Sequence, residues 1–170
     1  MPRSSATKFV LATAADAEPI AQLRNAVAAG LTERYGRGWW SRECTAKGVV
    51  GEMRISQVYL HRARGKIIAT FRLGTKKPWA VDLAYFTTAQ RVRYLHSLAV
   101  LPKHQGRGIG TKCLQAADGF ARAAGAQAIH LDAFDHAAGA GEFYRKGGFC
   151  EVGRVSYRGV PLIYFERLLQ

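Results

Sequence analysis

The sequence contains no apolar run approaching the roughly 18 residues that span a bilayer, so no membrane-spanning helix is expected. The nearest likeness to a secretion signal is Phe9–Ala15, a short apolar stretch preceded by Lys8. It leads directly into Asp16 and Glu18, which suits a first β-strand entering a helix cap better than a cleaved leader; a cytoplasmic protein is expected. Cysteine is scarce. Cys44, Cys113 and Cys150 are far apart, odd in number and form no C-x-x-C pair, which argues against a disulfide framework or a zinc site. Three reduced thiols and no metal are the expectation. Acidic residues are also few: 12 against 25 basic, a net charge of +13. The basic residues are scattered, with no run of five or six, and no helix-turn-helix, zinc finger or RNP signature focuses them on nucleic acid. A basic surface favouring a polyphosphate ligand is the simpler reading. No repeat or low-complexity linker divides the 170 residues, so one domain over 1–170 is expected, with 1–6 as a loose tail.

What is present is a regular succession of elements. Lys8–Thr13 reads as a strand, and Asp16 can cap a helix carrying Ile20, Leu23, Val27 and Leu31 at helical spacing. Gly36, Gly38, Trp39 and Trp40 break that pattern, and Thr45–Ile55 reads as a second helix. Strands Gln57–Ala63 and Lys66–Leu73 follow, joined by an Arg64-Gly65 turn. A loop from Gly74 to about Thr88 is long enough to suggest a function. Arg91–Val100 reads as a central strand, Gly108–Ala124 as a helix, Ala128–Phe134 as a strand and Ala137–Lys146 as a short helix. A hairpin of Cys150–Ser156 and Pro161–Leu168, turning at Arg158-Gly159, closes the chain. The order βααββ, βαβα, ββ implies a mixed sheet with helices on both faces.

The most informative segment lies where the fourth strand ends and a helix begins. Gly106, Gly108 and Gly110 let the backbone turn tightly and present successive N–H groups. The helix N-terminus adds partial positive charge, and Lys103, His104 and Arg107 add more, which together make an anion site. The run is not a Walker loop, since it lacks the Gly-Lys-Ser/Thr ending. Nor is it a Rossmann fingerprint, which belongs to a parallel unit near the start of a domain.

Gln105-x-x-Gly108-x-Gly110, preceded by Leu98-x-Val100 and Pro102, resembles the Q/R-x-x-G-x-G/A motif of the GNAT acetyltransferases. Phe143-Tyr144-Arg145-Lys146-Gly147-Gly148-Phe149 resembles the family's (L/F)-Y-x-x-x-G-F segment, and Ala140 stands where the family commonly has a small residue. The element order covers nearly the whole chain. The resemblance implies the GNAT fold, α/β (α+β) in class, with a mixed, mostly antiparallel six- to seven-stranded sheet. It implies acetyl-CoA as co-substrate and an amine as acceptor. Leu98, Ala99 and Val100 would pair with the pantetheine arm, and a backbone N–H near Leu98 would polarise the thioester carbonyl. The pyrophosphate would lie on amides of Gln105, Gly106, Arg107, Gly108, Ile109 and Gly110, with Thr111 close by.

Tyr144 stands where many relatives keep a tyrosine as general acid; a phenol of pKa about 10 can donate to a departing thiolate of pKa about 8.5. The general base is open. Several relatives carry a glutamate where this chain has Tyr94, which leaves His96, Asp132 and Asp82 as candidates. The family's asparagine before the last helix is Ala137 here. The acceptor pocket is expected from the first helix pair, the long loop and the last hairpin, with Tyr35, Trp39, Trp40, Trp79, Tyr85 and Phe86 as an aromatic lining. The leading expectation is an N-acetyltransferase acting on a small-molecule amine. The alternatives are a protein lysine or N-terminal acetyltransferase and, from another class, a non-catalytic acyl-CoA sensor or nucleic-acid-binding module. A homodimer is implied only by the family's habit of pairing through its last strands.

Overall fold

The computed structural model describes residues 7–170; the expected tail at 1–6 lies outside the described residues. In chain order the elements are β1 (Val10–Leu11), α1 (Ala17–Tyr35), α2 (Ala46–Ile55), β2 (Ser56–Ala63), β3 (Lys66–Gly74), β4 (Val92–Val100), α3 (Ile109–Ala123), β5 (Ala128–Phe134), α4 (Gly141–Lys146), β6 (Cys150–Tyr157) and β7 (Val160–Leu168). They form one seven-stranded sheet in the order β1-β2-β3-β4-β5-β7-β6, in which only β4 and β5 run parallel. The α/β class and mixed, mostly antiparallel sheet are as expected.

Side-chain alternation sets the layers. Val58 and Leu60 of β2 pack with Ile20 and Ala21 of α1 and Val49 of α2. Tyr59, between them, points to the opposite face and joins Cys113, Leu114 and Ala117 of α3. Both β-hairpins turn on residues with positive φ, 50° and 79° at Arg64-Gly65 and 50° and 80° at Arg158-Gly159, the tight turn whose twist matches the flanking strands. All three cysteines are free, and among the described residues no helix is long and apolar enough to cross a membrane.

Two elements are shorter than the sequence suggests. The first strand keeps only Val10 and Leu11, because the Thr13 amide donates to Asp16 Oδ2 at 2.8 Å and turns the chain into a 3₁₀ entry to α1. The last helix begins at Gly141 rather than Ala137. His136 Nδ1 accepts the Ala138 amide at 2.9 Å, and a Cβ on Gly139 would lie 2.0 Å from the Phe134 carbonyl, so this stretch is a tight turn. The long loop is pinned down over β5, β7 and β6. Tyr164 Oη accepts the Asp82 amide at 3.2 Å and donates to the Ala80 carbonyl, while Glu166 accepts the Thr87 amide at 2.9 Å and its hydroxyl at 2.7 Å.

Two irregularities in the middle of the sheet matter most. Thr70 faces Ala99 and Arg72 faces His96, so Phe71 alone opposes Ser97 and Leu98: a β-bulge, with Ser97 at φ 51°. The extra residue shifts the alternation by one, and Leu98 and Val100 therefore reach the α3 face together with Leu95. Second, β4 and β5 pair only from Val92↔Ala128 to Tyr94↔His130 and then part.

Helices α3 and α4 are held together at Gly147, where a Cβ would lie 2.4 Å from Leu114 Cδ1 and 3.2 Å from the Phe143 carbonyl. Gly147→Val should destabilise the protein by about 1–3 kcal/mol, as overpacking of a filled site does. Urea denaturation measures this, and an unchanged midpoint would mean that the contact does not hold the two helices.

Candidate active site

Where β4 and β5 part, a cleft of about 410 Å³ opens between β4, the start of α3 and α4. Leu98, Ala99 and Val100 form its β4 wall, Phe143 and Ala140 its α4 side, and Val27 of α1 its outer edge. Gln105, Gly106 and Gly108 close the end, with Gly110 and Thr111 from the first turn of α3. The residues expected to hold the co-substrate thus come together, apart from two. Arg107 is exposed and lines no wall, and Ile109 packs towards the main core.

The turn is built to receive an anion. Pro102 starts a 3₁₀ turn in which Gln105 gives its amide back to the Pro102 carbonyl at 3.1 Å, so that N–H is not free for phosphate. The Gln105 side chain instead donates to the Val100 carbonyl at 2.9 Å and holds the turn against the end of β4. Gly106 and Gly108 have φ of 71° and 78°, and a Cβ on either would meet nothing within 4 Å. Gly108 is the N-cap of α3 and supplies no side-chain cap, so the first-turn N–H groups are left for a ligand at the positive end of the helix. An open, uncapped turn flanked by Lys103, His104 and Arg107 fits the pyrophosphate of coenzyme A.

Val27, Leu98 and Ala99 also line a second, wider opening of about 610 Å³, so the two form one continuous cleft. Its walls come from α1, α2, Trp40, Ser97 and Phe134. The long loop and the last hairpin, expected here, contribute nothing to it because the loop is tied down over β7. The six expected aromatics accordingly divide. Tyr35, Trp39 and Trp40 gather around Phe134 and His136, with Trp40 and His136 rings 4.4 Å apart. Tyr85 and Phe86 pack instead on Tyr164, and Trp79 is 90% exposed. Asn25 clasps the Cys44 backbone in both directions, at 2.9 and 2.8 Å, and fixes the lip beside α1.

None of the four candidate proton-transfer residues lines either opening. Tyr144 is buried against Phe143, Phe149 and Phe165; its pKa is raised, first by burial and then by the charge of Asp132. Asp132 lies on β5 two residues past the last β4 pair, and burial raises its pKa. His96 faces Arg72 across β3 and β4; burial, then that guanidinium, pushes its pKa down to about 4. Asp82 caps a turn in the loop, accepting the Ala84 amide at 3.0 Å. Among the described residues no group of three or more His, Cys, Asp and Glu could hold a metal.

Sequence reasoning missed Ser97, whose bulge shapes the β4 wall, and the ionic group Arg24, Glu52 and Arg72. Arg24 Nη1 donates to Glu52 Oε2 at 2.7 Å, and Arg72 Nε lies 3.8 Å from the same oxygen. Signals existed for both. Leu95 and Leu98 are three apart in a strand of period two, and Arg24 interrupts the apolar stripe of Ile20, Leu23 and Val27.

His96 gives a pH test. Its folded pKa of about 4 lies below the usual 6.5, so the unfolded chain binds the proton first and stability falls as pH drops from 6.5 towards 4. His96→Gln should reduce that loss by an amount on the order of 1–3 kcal/mol between pH 7 and 4. Identical urea midpoints for the two proteins at both pH values would contradict the buried, neutral histidine.

Comparison with proteins of curated function finds none that matches. Solved structures match over nearly the full chain. An N-acetyltransferase from Staphylococcus aureus Mu50 superposes with TM-score 0.70 at 17% identity, covering 98% of this chain and 100% of that one. The protein yncA from Salmonella typhimurium, solved with its cofactor acetyl-CoA, gives 0.70 at 18%, covering 98% and 95%. An aminoglycoside 6'-acetyltransferase type Ii gives 0.68 at 17%, covering 96% and 97%. At these identities the likeness establishes the fold.

The turn itself is tested by Gly108→Glu, which sets a carboxylate in the open cradle at a cost of about 1 kcal/mol for the positive φ. The variant should keep its circular dichroism and lose coenzyme A binding; unchanged affinity in calorimetry would refute the anion site. The family model described as Acetyltransferase (GNAT) family matches residues 23–149, most of the chain and both halves of the cleft, and the chain belongs to that family.

Proposed function

We propose that the chain is an N-acetyltransferase that moves the acetyl group of acetyl-CoA directly to a primary amine of a small molecule. The observation that carries this reading is the continuity of the cleft: Val27, Leu98 and Ala99 border both the glycine-rich cradle and the aromatic-walled opening. An acyl donor seated in one part and an amine in the other would meet at Leu98. Family membership makes the chain a transferase and acetyl-CoA its co-substrate. The aminoglycoside-acetylating neighbour supports a small-molecule acceptor on the same fold.

When bound, acetyl-CoA supplies an acetyl group activated as a thioester. The protein does the rest by position and proton handling. The bulge leaves Ser97 and Leu98 opposite one partner residue, and an amide of this pair is the donor assigned to the thioester carbonyl oxygen. Tyr144, set behind Phe143 and not on the cleft wall, is assigned the proton that the departing sulfur needs. Burial and the nearby Asp132 charge raise its pKa, which keeps the phenol protonated at rest and also makes it a weaker acid towards the departing sulfur. Asp132, set back from both parts of the cleft, is assigned the amine's proton, taken through water. Its position at the parting of β4 and β5 and its raised pKa make it a better base than His96, whose pKa of about 4 leaves it weakly basic, or Asp82, which caps a turn.

Thiol release on a panel of small amines and a lysine peptide tests the acceptor class; release with the peptide alone would overturn the small-molecule reading. Tyr144→Phe should lower kcat by about 10²–10⁴-fold, the usual worth of general acid catalysis, with little change in the acceptor KM. Equal turnover by the two proteins would remove the acid role.

A further inference from the structure

The wide end of the cleft carries more buried positive charge than its carboxylate can neutralise. Arg24 lines the opening with a side chain only 10% exposed. Its Nη1 is taken by Glu52, yet Nε and Nη2 are buried without any hydrogen-bond partner. Arg72 stands behind the same carboxylate, and its Nε is also buried and unpartnered. Two guanidinium groups therefore share one glutamate. Among the described residues the one further carboxylate lining the opening, Glu43, is exposed at the rim beside the oppositely charged Arg42, and His96, facing Arg72, is neutral at physiological pH. Buried donors left without acceptors are costly, and native structures seldom keep them without reason.

We propose that the acceptor amine also bears an oxyanion, the carboxylate of a free amino acid, and that Arg24 holds it. An arginine offers a planar fork that matches a carboxylate in two parallel hydrogen bonds, and a ligand oxyanion would offset the excess charge of the Arg24–Glu52–Arg72 group. The spacing suits a small acceptor. Arg24 lies three residues, about one helical turn or 5 Å, before Val27, which borders both parts of the cleft beside Leu98. A carboxylate at Arg24 thus leaves a neighbouring amine close to the acyl site. Trp40, Phe134 and Leu31 line the same opening and give the amino acid's side chain an apolar wall. Glu52, held by both arginines, keeps the Arg24 fork in place.

This assignment rests on the transfer reading above, and the test separates the two. The coenzyme A-loaded protein is titrated by calorimetry with free L-amino acids carrying aliphatic and aromatic side chains, each beside its C-terminal amide and its decarboxylated amine. Thiol release from acetyl-CoA is followed with the same set. At least one amino acid should bind, and be acetylated, at least about tenfold better than its amide, as expected for a charge-assisted pair. Arg24→Gln should reduce that preference to within about twofold through KM, while coenzyme A still binds. Arg24→Lys, which keeps a charge opposite Glu52 but not the fork, should lose most of the preference and serves if the glutamine variant does not fold. Absence of coenzyme A binding would overturn the transfer reading and this assignment with it. Coenzyme A binding with no amino acid favoured over its amide, or a preference that survives both substitutions, would overturn the assignment alone.

Discussion

The parting of β4 from β5 is the constraint on which the rest of this molecule depends. The two strands share three residue pairs, ending at Tyr94↔His130, and beyond them neither strand has the other as a partner. Backbone donors and acceptors on β4 must then be satisfied elsewhere, since unpaired groups away from water are costly. A ligand that lies along the strand can satisfy them. The bulge at Ser97 adds to this, because it turns Leu98 and Val100 towards the α3 face just where pairing has ended. The cleft therefore follows from incomplete sheet formation and not from a cavity carved into a finished core.

The surrounding elements keep the gap from closing. On one side Gln105 holds the glycine-rich turn to the Val100 carbonyl, and Gly110 lets the start of α3 rest on Phe143, where a Cβ would lie 2.9 Å from the ring. On the other, α1 is bound to the 42–45 segment through Asn25 and to α2 through Arg24 and Glu52. These contacts join elements far apart in sequence across the cleft walls. The molecule's excess of basic residues is felt here in a specific way. Most of the +13 charge is solvated, but part of it is buried at Arg24 and Arg72; burial first, and then the Arg72 guanidinium, depresses the His96 pKa.

Much of the fold was legible because its signals are local. Strand and helix boundaries fell within a residue or two at Arg64-Gly65, Pro102 and Arg158-Gly159, where glycine or proline punctuates the chain. The glycines of the cradle were legible for the same reason, since their positive φ is written in residue type. The errors came where a tertiary contact decided the outcome. The Thr13–Asp16 bond shortened the first strand, and the Phe134 carbonyl bent 137–140 away from helix. The long loop looked free to cover a site, yet Tyr164 and Glu166, nearly eighty residues later or more, hold it over β7. No local pattern announces such partners.

The ionic group at the wide end of the cleft shows a subtler limit. A helical stripe is recognised by its apolar positions, so a charged residue within it is easily passed over, although that residue is the anomaly that needs a physical reason. Arg24 sits among Ile20, Leu23 and Val27 on the face that α1 turns to the sheet, and Arg72 sits between Phe71 and Leu73 in β3. Each alone reads as a surface residue whose alkyl stem snorkels outward. Only the pairing of β3 with β4 and the packing of α1 on α2 bring both guanidinium groups to one glutamate and leave nitrogen atoms unpartnered. A stripe interrupted by a cation is therefore a stronger pointer to a binding site than an aromatic cluster, because burying the cation unpaired costs free energy that an apolar side chain at the same position would not.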